Sequence, residues 1–322
     1  CTHYAFTVTH YEVSVAIVFM GTPQFAVPSL KILIDRKEEV SLVITQPDRA
    51  KGRGHILSSP PVKELALLHE IRVIQPLKVK DEVLYSELSA ITPEFIIVVA
   101  YGRILPAKIL NIPKYGCINV HASLLPKYRG AAPIQWSVLN GDKLTGVTTM
   151  LMDEGLDTGD ILLRKEMSIA DSDTAASMFE KLSALGAEAI AETIDGIRHG
   201  SVKPVKQSGE ATYAPPLKKE DGRIDWSRTA DELFNFIRGM YPWPGAFCYL
   251  NNERIRIIKA SKYNPEGGGP GVIVRASGGE LVAGTGKGLL LIEELQPDGK
   301  KPMPASAFLA GRKIKELDEK FS

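Results

Sequence analysis

The chain has 322 residues, roughly twice a usual domain length of about 150, so two domains are expected before any motif is read. Hydrophobic residues make up 44% and charged residues 24%, ordinary globular proportions that set aside disordered, collagen-like and disulfide-scaffold chains. With 39 basic against 38 acidic residues the formal charge is +1, which excludes a globally basic nucleic-acid coat and leaves any polyanion to local patches.

Cys1, Cys117 and Cys248 are odd in number, far apart and free of C-x-x-C pairing, which argues against a disulfide framework or a cysteine-rich zinc site and for a reducing compartment. The longest strongly apolar stretch, residues 95–100, is far short of the roughly 20 residues that span a bilayer. Residues 1–14 have neither an apolar signal core nor an Arg-rich transit character, and are read as an appendage outside the fold; a cytoplasmic location and a monomer are expected.

From residue 15 the pattern alternates. Residues 15–20 predict a strand, Gly21-Thr22-Pro23 a tight turn, and residues 24–34 a helix with apolar positions three and four apart. Short β-branched runs at 40–45, 72–74, 95–100 and 117–121 alternate with helical stretches at 61–69 and 80–91, the pattern of a Rossmann-like α/β, mostly parallel sheet covered on both faces. Residues 147–152 and 161–169 predict two adjacent longer strands, and residues 174–198 a long closing helix. The expected boundaries are a first domain at 15–203, a linker at 204–221 and a second domain at 222–322. That second domain has one helix, at 229–239, and then short strands at 254–260, 271–276, 280–283 and 289–293 divided by Gly-rich turns, which predicts a small antiparallel, OB-like barrel.

The most informative run is CINVHASLLPKYRGAAPIQW at 117–136. Asn119 and His121 lie two apart on a predicted strand, so both face one side near the carboxyl end, where open α/β sheets place ligands. An amide donor beside an imidazole suits a carbonyl whose oxygen gains charge during attack, although spacing alone is also compatible with plain strand-end hydrogen bonding. The acidic loop at 152–160 lacks the EF-hand spacing; it reads either as a solvated turn or as the source of one carboxylate, Asp157, that orients and charge-balances His121. The loop at 46–63 carries Arg49, Lys51, Arg53 and Lys63 against Asp48 and reads either as solvated surface or as a segment that takes an RNA end. Residues 222–322 hold 15 basic and 12 acidic residues, too small a surplus for strong nonspecific binding, unless Arg254, Arg256, Lys259, Lys262, Lys300 and Lys301 share one barrel face. Met150 and Met152 read as core, Trp226, Tyr241 and Trp243 as anchors of the small domain, and the histidines form no metal spacing, so no metal is expected.

Taken together, GTP at 21–23, QPDRAKGRG at 46–54, VAYG at 99–102, INVHASLLP at 118–126, RGAAPI at 129–134, LDTGD at 156–160, IDW at 224–226, PWP at 242–244 and LQPDGKKPM at 295–303 resemble the methionyl-tRNA formyltransferase family in order and spacing from residue 15 to about 312. The resemblance implies transfer of a formyl group from 10-formyltetrahydrofolate to the amino group of methionyl initiator tRNA, with Asn119, His121 and Asp157 as the catalytic trio. It implies folate contacts from Ser123, Leu124, Leu125 and Pro126 and from the backbone around Tyr101 and Gly102, and tRNA contacts from Arg49, Lys51 and Arg53.

Folate-dependent formyltransferases acting on sugar-nucleotide or purine-precursor amines share the N-x-H-x-S-L-L-P core and are the alternative. The Q-P-D-R-x-x-G-R-G loop and the second domain favour the tRNA acceptor. A catalytically idle RNA-binding module would not need the intact trio.

Overall fold

The computed structural model describes residues 15–51, 56–263 and 267–322; the expected appendage and Arg53 lie outside them, as does the side chain of Lys51. In the first unit β1 (Ile17–Gly21) leads into α1 (Val27–Asp35), and β2 (Val40–Ile44) into a short hairpin of β3 (Arg49–Lys51) and β4 (Ile56–Ser58). Next come α2 (Pro61–Leu68), β5 (Val73–Ile74), α3 (Glu82–Ile91), β6 (Phe95–Val99), α4 (Ala107–Leu110) and β7 (Cys117–His121). The two-residue β8 (Arg129–Gly130) and α5 (Pro133–Leu139) precede the antiparallel pair β9 (Leu144–Leu151) and β10 (Ile161–Ser168), and α6 (Ala175–Arg198) closes the unit.

The sheet order is β10-β9-β7-β6-β1-β2-β5, parallel from β7 to β5, with β9 antiparallel to both its neighbours. Every residue of β1 and β6 is buried, because helices cover both faces. Alternation sorts them: Ile17, Phe19, Phe95 and Ile97 pack with Leu30 of α1 and Leu182 and Ile190 of α6. Val18, Met20, Ile96 and Val98 pack on the other face with Leu84 and Leu88 of α3. Each such side chain contributes about 1.5–3 kcal/mol on burial. Helix α6 starts where the Thr174 side chain accepts from the Ser177 N–H and the Ser177 hydroxyl accepts from the Thr174 N–H.

Residues 204–221 are hydrogen-bonded into the first unit. Val205 pairs with Ile161, and β11 (Tyr213–Ala214) runs parallel to β8. The second unit then has α7 (Ala230–Met240), β12 (Ala246–Leu250), β13 (Glu253–Tyr263), β14 (Ile273–Ser277), β15 (Glu280–Gly284), β16 (Leu289–Pro297), β17 (Met303–Pro304) and α8 (Ala305–Ala310). Its antiparallel sheet runs β12-β13-β16-β15-β14. The edges are joined by the last residues: Tyr249 and Ser322 exchange backbone hydrogen bonds of 2.8 and 2.9 Å, and Ile273 N donates to Glu319 O at 3.0 Å. Phe321 is buried there, stacked on Trp226 at 5.3 Å.

The two units share a core in which Ala132 and Leu139 join Leu233 and Phe236 of α7. Gly239 of α7 lies so close to Leu139 that a Cβ would sit 2.7 Å from its side chain. Arg238 is buried at this junction and donates to the carbonyls of Ala170 at 3.0 Å and Asp173 at 3.1 Å. Among the described residues no helix is long and apolar enough to cross a membrane.

Two charge and packing expectations change here. Lys259 pairs with Glu293 and Lys262 with Asp231, so neither is a free cation on the barrel. Trp243, expected as an anchor, is 55% exposed and lines a cavity of about 250 Å³ with Lys219, Arg254 and Arg256, because the turn between α7 and β12 carries it outward.

Candidate active site

Strand β7 ends in Asn119-Val120-His121, with Val120 turned into the core and the other two on the opposite face. Asn119 is half-buried and, among the described residues, no hydrogen bond engages its carboxamide. His121 is buried, and its Nε2 lies 2.9 Å from the carbonyl oxygen of Tyr128. A carbonyl only accepts, so Nε2 carries the proton and donates, and in the neutral ring Nδ1 is left as the free lone pair.

Tyr128 aims that carbonyl by adopting the left-handed region at φ 62°, which its surroundings impose. Its hydroxyl donates to Asp142 Oδ2 at 2.8 Å and accepts from Asn140 at 2.9 Å, and its N–H donates to the Thr212 hydroxyl at 2.9 Å. Two residues on, Gly130 has φ 120° and a Cβ there would sit 2.8 Å from the Ala214 carbonyl, so only glycine lets β8 lie against β11.

The acidic loop sorts its carboxylates. Asp153 turns inward on its own loop, accepting from the Gly155 N–H at 3.0 Å and the Thr158 hydroxyl at 2.7 Å. Asp157, at φ 53°, faces the site: Oδ2 accepts from the Gly130 N–H at 2.8 Å and stands 3.6 Å from His121 Nδ1. That spacing is an ion pair when the imidazole is protonated. The structure thus brings Asn119, His121 and Asp157 to one place from two segments, β7 and the 152–160 loop.

The Ser123–Pro126 segment is mostly buried and spends its polar groups internally. The Ser123 hydroxyl donates to Lys127 O, Thr148 Oγ1 donates to Ser123 O at 2.7 Å and accepts from Leu125 N at 3.1 Å, and Arg164 donates to Leu125 O at 2.6 Å. Leu125 is wholly inside, whereas Leu124 and Pro126 are half-buried and keep surface for a ligand.

A cavity of about 490 Å³ opens outside the carboxyl ends of β1, β2 and β6, the point where strand order reverses about β1. Thr22, Gln46, Arg49 and residues 100–103 line it, and none of Asn119, His121 and Asp157 does. The β6–β7 register, Val98 opposite Asn119, places His121 level with Ala100 at the cavity's side. Gly102, at φ 78°, faces the open space, with nothing within 4 Å of a Cβ there. Tyr101 meets the cavity with its backbone, since its carbonyl accepts from Gln46 at 3.0 Å while the ring packs in the core and burial pushes its hydroxyl pKa up. Arg103 donates to Gln46 Oε1 at 3.0 Å.

Arg49 is exposed at the rim on β3. Lys51 follows it in the same strand, and Arg53 lies outside the described residues. Lys63 is not part of this basic group: it donates to both Asp48 oxygens at 2.8–2.9 Å, Gln75 Nε2 donates to Asp48 Oδ1 at 2.8 Å, and these contacts hold the Asp48 carboxyl below the usual carboxylate range. Sequence reasoning missed Tyr128, Gly130 and Gln207 as parts of the site. Two act through backbone atoms and the third comes from a segment with no periodicity.

An open α/β sheet whose N-x-H strand faces a loop carboxylate, joined to a small antiparallel unit, defines a formyltransferase. The chain matches the Formyl transferase family over residues 13–194 and the Formyl transferase C-terminal domain over residues 216–313. It belongs to the methionyl-tRNA formyltransferase family: the curated enzyme of that name from Thermodesulfovibrio yellowstonii is 56% identical over 96% of this chain and 100% of its own length. The Desulfotalea psychrophila enzyme is 52% identical over 94% of each chain. Among solved structures, the fold is similar to the N-formyltransferase from Helicobacter canadensis in complex with folinic acid and dTDP-3-aminofucose (TM-score 0.65, 21% identity, covering 86% of this chain and 98% of that one). It is also similar to HypX from Aquifex aeolicus in complex with tetrahydrofolic acid (TM-score 0.62, 18% identity, covering 94% of this chain and 50% of that one).

Proposed function

We propose that the protein transfers the formyl group of 10-formyltetrahydrofolate to the α-amino group of methionyl initiator tRNA, for translation initiation, without a metal. The observation that carries the chemistry is the unengaged Asn119 carboxamide on the same strand face as an imidazole whose Nε2 is fixed and whose Nδ1 is backed by Asp157. The folate supplies the formyl group as an N-acyl amine, ready for attack at its carbon.

Asn119 donates to the oxygen that gains charge as the amine attacks. His121, through Nδ1, takes the proton released by the attacking amine and returns it to the departing nitrogen, so one C–N bond forms, another breaks and the proton count balances. Asp157 stabilises the imidazolium that exists between those events. The half-buried surfaces of Leu124 and Pro126 and the backbone at Tyr101 and Gly102 are proposed to hold the flat heterocycle. Arg49 at the cavity rim, together with Lys51 and Arg53 of the same loop, takes the acceptor end, and Lys219, Arg254 and Trp243 offer charge and an aromatic face to the tRNA body. The reaction is placed in the cytoplasm with a monomer as the working unit, which light scattering tests directly.

Acceptor choice tests the assignment. With 10-formyltetrahydrofolate as donor, the protein formylates methionyl initiator tRNA in preference to methionyl elongator tRNA and free methionine; equal use of the three defeats the tRNA reading, while turnover of a sugar-nucleotide amine instead would restore the alternative.

A further inference from the structure

Gln207 is half-buried in a run where residues 203–206 and 208–210 are all exposed. Its Nε2 donates to two carbonyls of the acidic loop, Asp157 O and Gly159 O, each at 2.8 Å. Its Oε1 accepts from Arg129 at 3.2 Å (Nε) and 2.6 Å (Nη2). The carboxamide therefore has both hydrogens and its oxygen engaged and has one orientation.

What it clamps matters. Asp157 adopts φ 53°, a sparsely populated conformation for a non-glycine residue, which persists only where the surroundings over-determine it. The outer residues of that loop, 153–156, are exposed and bonded chiefly within the loop, so they do not fix its direction. On the far side, Gly159 is wedged against the Leu151 carbonyl, where a Cβ would lie 1.6 Å from the oxygen. Arg129, the other partner, stands between Tyr128, whose carbonyl receives His121 Nε2, and Gly130, whose N–H donates to Asp157.

We propose that Gln207 is a positioning residue for formyl transfer: by spanning the Asp157 and Gly159 carbonyls and holding Arg129, it fixes the turn that presents the Asp157 carboxylate to His121. The inference rests on the reading of Asp157 as the group behind His121. It also gives the segment that leads into the second unit a direct hold on the geometry of the site, through one amide.

Gln207→Glu is the sharp variant, because it keeps an acceptor for Arg129 and the same shape but removes both N–H donors. Single-turnover formylation of methionyl initiator tRNA is expected to slow about 10- to 100-fold, the scale of a misplacement of about 1 Å, with KM for both substrates within about twofold. Combined with Asp157→Asn, it adds no further loss, because a residue acting through Asp157 is silent once the carboxylate is gone. Trp136→Phe is the control: it deletes the 2.9 Å hydrogen bond from Trp136 Nε1 to Pro215 O, another anchor of the same segment, and should leave the rate within about twofold. If Gln207→Glu does not fold, Gln207→Met removes the same donors without a charge and gives the same readout. A wild-type rate in Gln207→Glu, an equal loss in Trp136→Phe, or full additivity with Asp157→Asn overturns the proposal. An Asp157→Asn protein of normal rate defeats the reading of the site and this inference with it, whereas a slow Asp157→Asn beside a fast Gln207→Glu overturns the inference alone.

Discussion

Asn119 and His121 share one face of β7 two residues apart, and what distinguishes them is their partners. His121 has one nitrogen committed to a backbone carbonyl and the other facing a carboxylate, while among the described residues the Asn119 amide is uncommitted. In the proposed reaction that amide is the oxyanion donor, and Asn119→Ala is expected to lower turnover about 100- to 1,000-fold. Because no hydrogen bond among the described residues is lost, the thermal midpoint should stay near that of the unmodified protein; single-turnover rates together with thermal unfolding check both halves. Near-normal turnover would remove Asn119 from the mechanism. The pair was legible in the sequence, since a period of two puts both side chains on one face. The donor–acceptor state of His121 was not, because its deciding partner is the main chain of Tyr128 in a conformation that tyrosine rarely adopts. The two buried thiols are further from function: burial pushes the Cys117 pKa up to about 12 and raises that of Cys248, which makes both poor nucleophiles.

At the scale of elements, the junction between the β10–α6 turn and α7 is built around Asp173. Its carboxylate accepts from Ala170 N at 3.0 Å, the Ser177 hydroxyl at 2.8 Å and Lys181 at 2.6 Å, while its carbonyl receives Arg238 of α7. Burial works to raise the Asp173 pKa and is outweighed by Lys181, the Ala170 N–H and Ser177, which hold it below the ordinary carboxylate value. Since the folded pKa is the lower one, the unfolded chain takes up its proton first as the pH falls, so the stabilisation is present at neutral pH and is lost below about pH 3.9. Asp173→Asn is therefore expected to cost about 1–2 kcal/mol at pH 7, with the gap to the parent protein closing as the pH drops below about 4, followed by denaturant unfolding across pH. A gap that stays constant with pH would place the cost in packing instead. Helices α6 and α7 were expected from the sequence; the contact between them was not, because it joins a turn to a buried arginine 65 residues away.

For the whole molecule, near-neutral charge conceals a local arrangement. Lys63, Lys259 and Lys262 are each matched by a carboxylate, whereas Arg49 stands at one cavity rim, and Lys219, Arg254 and Arg256 line the other cavity beside Trp243; in the proposed function these are where RNA is taken. Neutralising Arg49, Lys51 and Arg53 together should remove most of the tRNA affinity. It should also flatten the dependence of log Kd on log salt by about two, at about 0.7–0.9 per lost phosphate contact. Filter binding at several salt concentrations measures both; an unchanged affinity would mean that the acceptor end is held without those charges, whatever the acceptor proves to be.

The sequence by itself determined the α/β sheet, its antiparallel companion, the N-x-H pair and the formyl chemistry that its motifs resemble. The sheets and the N-x-H pair are written in local periodicity and in the spacing of side chains along single segments, and the chemistry in the order of motifs that resemble the family. Only the tertiary structure decided how Asp157 meets His121, which nitrogen of that ring is free, which lysines are neutralised, and that residues 204–221 reach back to Asp157 and Arg129. Those depend on main-chain carbonyls and N–H groups, which every residue carries alike, and on distances between segments up to 84 residues apart, which a one-dimensional pattern does not encode.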